Sequence, residues 1–270
     1  MGSERIVVSG GFVRAAWLLV WACCPCLSSC ADDVLVEPSK PYSVKIPVFN
    51  KQQVPSSPRS REAVARVSSL LIPQLENLGL SYGAPIFIRI FKEERELEFW
   101  FRQGKKYKLF RTYPIAAMSG QLGPKLLEGD RQAPEGFYYV SASRMNPNSR
   151  FYLSMNLGYP NHYDRVHGRT GSALMIHGGS ASIGCFAMTD AKIEEIYALA
   201  EVALRNGQSF FRVHCFPFRM SEANMKKYAQ SKWDSFWLNL KEGYDFFETF
   251  KLPPDVQVEA KKYVFGKATN

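Results

Sequence analysis

The thirty residues from Ile86 to Ile115 leave this chain little choice but to build a sheet. Three runs rich in aromatic and β-branched residues (86–91, 96–102 and 107–115) follow one another closely, and Gln103-Gly104-Lys105-Lys106 supplies a hairpin turn between the last two. Residues 137–141, 173–177 and 210–216 read as further short strands, the last carrying Cys215. Around them the apolar spacing turns helical. Val64, Val67, Leu70, Leu71, Leu75 and Leu78 mark a helix that Gly79 ends and that Pro73 is expected to kink or split. After Met188, Thr189 or Asp190 can cap a helix whose apolar face is Ile193, Ile196, Tyr197, Ala200, Ala203 and Leu204, ending at Gly207. Two more helices, over 221–230 and 232–250, are rich in Trp and Phe, with Trp233 and Trp237 on a packing face. The pattern is that of an α+β chain rich in strands.

Hydrophobic residues at 46% and aromatics at 14% exclude wholesale disorder. The net charge of +9 fits an anionic partner. No Lys/Arg block of five or more and no zinc-finger or RNP-type motif occurs, so nucleic acid is not expected as a partner. The first thirty residues carry Arg5 and Arg14, then the apolar run 15–24, then small residues, which is the layout of an export signal. Two endings compete. Leu27-Ser28-Ser29-Cys30 resembles a lipobox, which would make Cys30 a lipid anchor, and Ser29-Cys30-Ala31 also fits ordinary signal-peptidase cleavage. Either way the body is exported. Five prolines between Asp32 and Arg61 make residues 31–61 a polar tether. The expected organisation is therefore 1–30 signal, 31–61 tether, 62–82 N-terminal helix, 83–216 main domain and 217–270 helical extension.

Four of the six cysteines lie in the leader, so the exported body keeps only Cys185 and Cys215. Cys185 closes the stretch MIHGGSASIGC, eight residues after His177. A thiol attacks only as thiolate, and an imidazole at His177 would take its proton and later return it to a leaving amine. Gly184 allows a substrate carbonyl close to the backbone, where N–H groups face the developing negative charge. Ser182 can orient the loop or donate a hydrogen bond. Other readings of the same residues remain: a packed strand and loop, a Cys185–Cys215 bridge, or a zinc set of His162, His167, His177 and Cys185, whose spacing matches no tight-pair ligand pattern.

His177-Gly178 followed by Ser182-Ile183-Gly184-Cys185 resembles the active-site signature of the YkuD-type L,D-transpeptidase catalytic domain family. The segments IFKEERELE, GPKLLEGDRQAPEG and FPFRMSEANMKK are similar to its YafK-like branch, over roughly residues 83–252. The resemblance implies a β-rich sandwich or barrel core with flanking helices. It also implies cysteine acyl transfer on peptidoglycan stem peptides at diaminopimelate, with no metal or cofactor. Cys185 would be the acylated nucleophile, His177 its base, and Gly184 would lie at the oxyanion site. His167, Arg165, Tyr159, Ser182 and Gly178 are the candidates for substrate contact. The alternative is hydrolysis of the link between diaminopimelate and an outer-membrane lipoprotein, and a non-catalytic wall-binding module is the third reading. The implied location is the periplasm, at the outer membrane if Cys30 is lipidated. Two departures stand out: the His–Cys loop is shorter than in many members, and Ala187 replaces an arginine that many carry two residues after the cysteine.

Overall fold

A computed structural model describes residues 53–266. The expected signal, the candidate anchor Cys30 and all but the end of the expected tether lie outside the described residues. Helix α1 (Pro58–Asn77) starts inside the expected tether because Ser57 and Ser60 form a reciprocal capping box, with Pro58 at the first helical position. Pro73 does not split it. The carbonyl that loses a donor there belongs to Ser69, which is exposed, and the buried stripe of Ala63, Val67, Leu71 and Leu75 runs through.

The three predicted strands form a meander: β1 (Ile86–Phe91), β2 (Glu96–Gln103) and β3 (Lys106–Pro114). They continue into β9 (Phe210–Phe216), parallel to β1, and then into β4 (Gly136–Ser141), antiparallel to β9. A one-turn 3-10 helix (Ala142–Arg144) leads from β4 into a second, four-stranded sheet of very short strands. These are β5 (Met145–Asn146), β6 (Ser154–Asn156), β7 (Met175–His177) and β8 (Phe186–Ala187). The capped single turn α2 (His162–Val166) lies between β6 and β7, and α3 (Asp190–Arg205) follows β8. The chain then forms α4 (Glu222–Lys227), α5 (Asp234–Phe250) and a hairpin of β10 (Asp255–Glu259) and β11 (Lys262–Gly266).

Every residue of β1 is buried, so both faces of the large sheet are covered. On one face α1 and α3 share a core with Ile88, Ile90, Phe99, Val213 and Cys215, and Ile176 and Phe186 of the small sheet join it. On the other, α5 and the hairpin, with its Tyr263, pack over Phe91, Phe137 and Phe216. There Arg89 is buried among the rings of Phe91, Trp100, Tyr244 and Phe247. Its guanidinium donates to Glu98 at 2.8 Å and to Glu248 of α5 at 2.6 Å. The fold is mixed α+β, as the sequence implies. The hairpin β10–β11 was not anticipated in what was read as a purely helical tail.

Candidate active site

His177 ends β7 and Cys185 immediately precedes β8, and the two strands pair in parallel, Ile176 beside Phe186 and His177 beside Ala187. The same register puts Cys185 beside Met175, whose N–H donates to Cys185 Sγ at 3.4 Å. The thiol in turn points at the Ala173 carbonyl, 3.6 Å away. Burial raises the Cys185 pKa, opposed by the Met175 N–H and by the Lys125 ammonium. Burial lowers that of His177. The resting pair is accordingly a neutral thiol and a neutral imidazole.

The tautomer of that imidazole is fixed. His177 Nδ1 lies 2.5 Å from the Gly178 carbonyl oxygen, which can only accept, so Nδ1 carries the proton and Nε2 keeps its lone pair. The ring also lies against Phe151, with centroids 4.5 Å apart. The loop between histidine and cysteine is held at its start. Gly178 N–H reaches the Phe151 and Leu153 carbonyls, and Gly179 N–H donates to Asp190 Oδ1 at 2.8 Å. Asp190 therefore serves the loop, and Thr189, at the N-cap position with φ +72°, makes no side-chain cap bond to α3.

At the other end, Gly184 adopts φ +81°, a conformation suited to glycine. Its N–H donates to Ser119 Oγ at 2.8 Å, and that hydroxyl donates to the Arg131 carbonyl at 2.6 Å. Gly184 N–H is therefore already committed, whereas the Cys185 N–H has no hydrogen-bond partner among the described residues. Ser182 Oγ is buried and unpartnered.

The remaining candidates are placed elsewhere. Tyr159 is buried and its hydroxyl donates to the Lys125 carbonyl at 3.0 Å, so it braces the loop that carries Lys125. His167 packs on Tyr163 and its Nε2 meets the Lys261 carbonyl at 2.9 Å, facing the C-terminal hairpin. Arg165 donates to the Pro160 carbonyl. Cys185 and Cys215 are both free thiols, with no bridge between them. Among the described residues no group of three or more His, Cys, Asp or Glu side chains is placed to hold a metal ion. Ala187 is fully buried, and its backbone bonds to Ala116 and Ala117.

Ser119, Phe151, Asp190 and the Gly178 carbonyl escape sequence reasoning. Two act through long-range packing and one through its backbone, and only Asp190, an acid opening a helix, carries a local signal. The 119–135 segment that supplies Ser119 is itself anchored by a buried ion pair. Lys92 Nζ donates to Glu135 Oε1 at 2.9 Å and to the Gly123 and Ala133 carbonyls, while Glu135 Oε2 accepts from Trp237 of α5.

Residues 85–209 match the model of the YkuD family, the L,D-transpeptidase catalytic domain. The chain is 48% identical over 185 residues to the Escherichia coli (strain K12) protein named "Putative L,D-transpeptidase YafK", covering 68% of this chain and 75% of that protein. The same figures hold for its counterpart in Escherichia coli O157:H7. Among solved structures, it is similar to the helical cell shape determining protein Pgp2 from Campylobacter jejuni, with 17% identity, coverage of 69% of this chain and 79% of that chain, and a TM-score of 0.40. It is also similar to Bd1075 from Bdellovibrio bacteriovorus, with 22% identity, coverage of 61% and 62%, and a TM-score of 0.36.

Proposed function

Because this chain belongs to the L,D-transpeptidase family, we propose that it is a cysteine acyl-transfer enzyme acting on peptidoglycan stem peptides at diaminopimelate. The observation that carries this reading is the Gly178 carbonyl, which holds the His177 proton on Nδ1 and leaves Nε2 free to take one from Cys185. In the first step the Cys185 Sγ–H proton passes to His177 Nε2, directly or through one water. Sγ then attacks the carbonyl carbon of the scissile amide. The oxyanion forms next to the Cys185 N–H, which no protein group occupies. Collapse breaks the C–N bond, His177 returns the proton to the departing amine, and a Cys185 thioester remains. Met175 N–H stabilises the sulfur while it carries charge.

The acceptor that resolves the thioester is an amine in a transpeptidase and water in a hydrolase. The short loop 178–184, in which Ser180, Ala181 and Ile183 are exposed, favours access for water. The hydrolytic reading makes the cleaved bond the link between diaminopimelate and an anchored lipoprotein. Both readings would place the protein in the periplasm, which the export-signal layout expected of residues 1–30 supports, and at the outer membrane if Cys30 is lipidated.

The test is to incubate the protein with muropeptides and with lipoprotein-linked muropeptide and to identify products by mass spectrometry. New cross-links support transpeptidation and released protein supports hydrolysis. Neither product, together with no mass adduct on Cys185, sinks the enzyme reading. A non-catalytic wall-binding module would instead keep its wall binding unchanged in Cys185→Ala.

A further inference from the structure

The turn between β5 and β6 sits against the proposed base, and it is shaped by a helix that lies outside the 85–209 match. Phe151 in that turn meets the His177 segment in two ways. Its ring lies on the imidazole, with centroids 4.5 Å apart and the planes 32° from parallel. Its carbonyl accepts at 3.1 Å from the N–H of Gly178, the residue whose own carbonyl holds the proton on Nδ1. The Phe151 ring is nevertheless half open to solvent, so its seat is set by the backbone of the turn rather than by enclosure.

That backbone is strained. Tyr152, the next residue, has φ +71°, a left-handed conformation that a bulky residue rarely adopts. Arg59, in the first turn of α1, donates through Nη1 to the Ser149 and Tyr152 carbonyls, each at 3.0 Å, and its guanidinium lies 5.7 Å from the Tyr152 ring centroid. Ser57, the cap of α1, donates to the Pro147 carbonyl at 3.0 Å. The Tyr152 hydroxyl donates to Glu194 of α3, which also receives Arg66 of α1. One arginine side chain thus binds the chain on both sides of Phe151.

We propose that Arg59 is a positioning residue for the base: by spanning the Ser149 and Tyr152 carbonyls it keeps the Phe151 ring seated on His177 and the Phe151 carbonyl on Gly178. This rests on the acyl-transfer reading above. Helix α1 then does more than cover the large sheet. Its first turn sets the aromatic wall that shields one face of the imidazole from water, which favours the neutral ring. The charged groups on that side are Arg59, Arg150 and Asp190, which share one opening with Phe151 and Gly179, and Asp190 Oδ1 is taken up by the Gly179 N–H. Substituting Arg59 removes a cation as well as two hydrogen bonds, and the two effects separate in a double-mutant cycle with Phe151.

The experiment titrates the His177 imidazole by NMR in the full chain, with His177→Gln assigning its signal, and follows acylation of Cys185 by muropeptides through intact mass over the same pH range. Arg59→Ala should move the His177 midpoint up towards the free value of about 6.5 and lower kcat for acylation roughly tenfold with KM little changed. Arg59→Lys, which keeps a cationic donor, should restore part of both. Phe151→Ala should reproduce the shift, and adding Arg59→Ala to it should change neither reading further. A shift of the same size in the Phe151→Ala background would mean that Arg59 acts by its charge, and a native midpoint in Arg59→Ala with only a lower melting temperature would mean that it serves the fold alone; either result overturns the proposal and leaves acyl transfer standing. If the native protein acylates no donor, the acyl-transfer reading falls and the NMR midpoints decide by themselves. A shift with Arg59→Ala that vanishes in the Phe151→Ala background keeps the positioning role, and no shift overturns it.

Discussion

Replacing Gly178 with alanine puts a Cβ 2.6 Å from Asp190 Oδ1 and 2.9 Å from the Phe151 carbonyl oxygen. Both atoms hold the loop that orients His177, so we expect Gly178→Ala to lower kcat as well as stability, the latter by about 1–3 kcal/mol as overpacking does. Steady-state kinetics beside thermal melts separate the two effects. Removing the base itself, in His177→Gln, should lower kcat about 10²- to 10⁴-fold with the melting temperature little changed. The pH profile follows from the burial of the ring. Catalysis needs unprotonated His177, so kcat/KM should rise with pH through a midpoint below the free imidazole value of about 6.5. A midpoint at or above that value would contradict a buried base. At this scale the sequence displayed the proposed nucleophile, the proposed base and Gly184, because such roles are read from side-chain type and local spacing. Ser119 was invisible, since its bond to Gly184 spans sixty-five residues. The contact of His167 with the C-terminal hairpin was not legible either, because that hairpin had left no trace in the chain.

That hairpin shows what an element's legibility depends on. The strands 86–91, 96–103 and 106–114 announced themselves by aromatic content and by a glycine turn. In β10–β11 the turn residues are Ala260 and Lys261, with φ of +46° and +61°, where Asn-Gly would be the readable signal. The turn is held from outside by His167 on the Lys261 carbonyl. Lys261→Gly should therefore stabilise the protein by about 0.5–1 kcal/mol, as measured by urea unfolding, because it relieves the left-handed cost at the price of some chain entropy. Glu98 on β2 works in the opposite sense. It receives Arg89, Trp100 and Arg219 on one nearly buried carboxylate, linking β1 and β2 to the chain that leads into α4. Glu98→Ala leaves the buried Arg89 with Glu248 alone and should cost about 3–5 kcal/mol. An unchanged urea midpoint would show that Glu248 suffices.

Across the whole molecule, the buried titratable groups set the pH range of stability. His214 is enclosed by Phe87 and Phe137 with its Nε2 unpartnered, and burial holds its pKa well below the ordinary value. The unfolded chain therefore binds more protons below about pH 6.5, and stability should fall as pH drops through that point. Cys215 acts on the other side. Its thiol is held protonated by burial, so stability should decline as pH rises above about 8.5, where the unfolded thiol ionises. Melting temperatures across pH 4–10 should trace this dome, and His214→Phe should flatten its acid side; an acid side as steep as before would remove His214 from the account. The α+β class and most of the element order were legible because they rest on periodicity. The joining of two sheets by a shared core and the anchoring of residues 119–135 by a buried lysine were not, because such contacts have no local pattern. The placement of β9 carries a further consequence. The segment that matches the family model stops at residue 209, one residue before the strand that lies between β1 and β4. What is inherited as a recognisable module is thus smaller than what can fold. A fragment of residues 85–209 would carry His177, Cys185 and every signature residue, yet it would lack the strand that joins β4 to the rest of its sheet and the Trp237 that meets Glu135. It should be recovered as an insoluble, inactive chain.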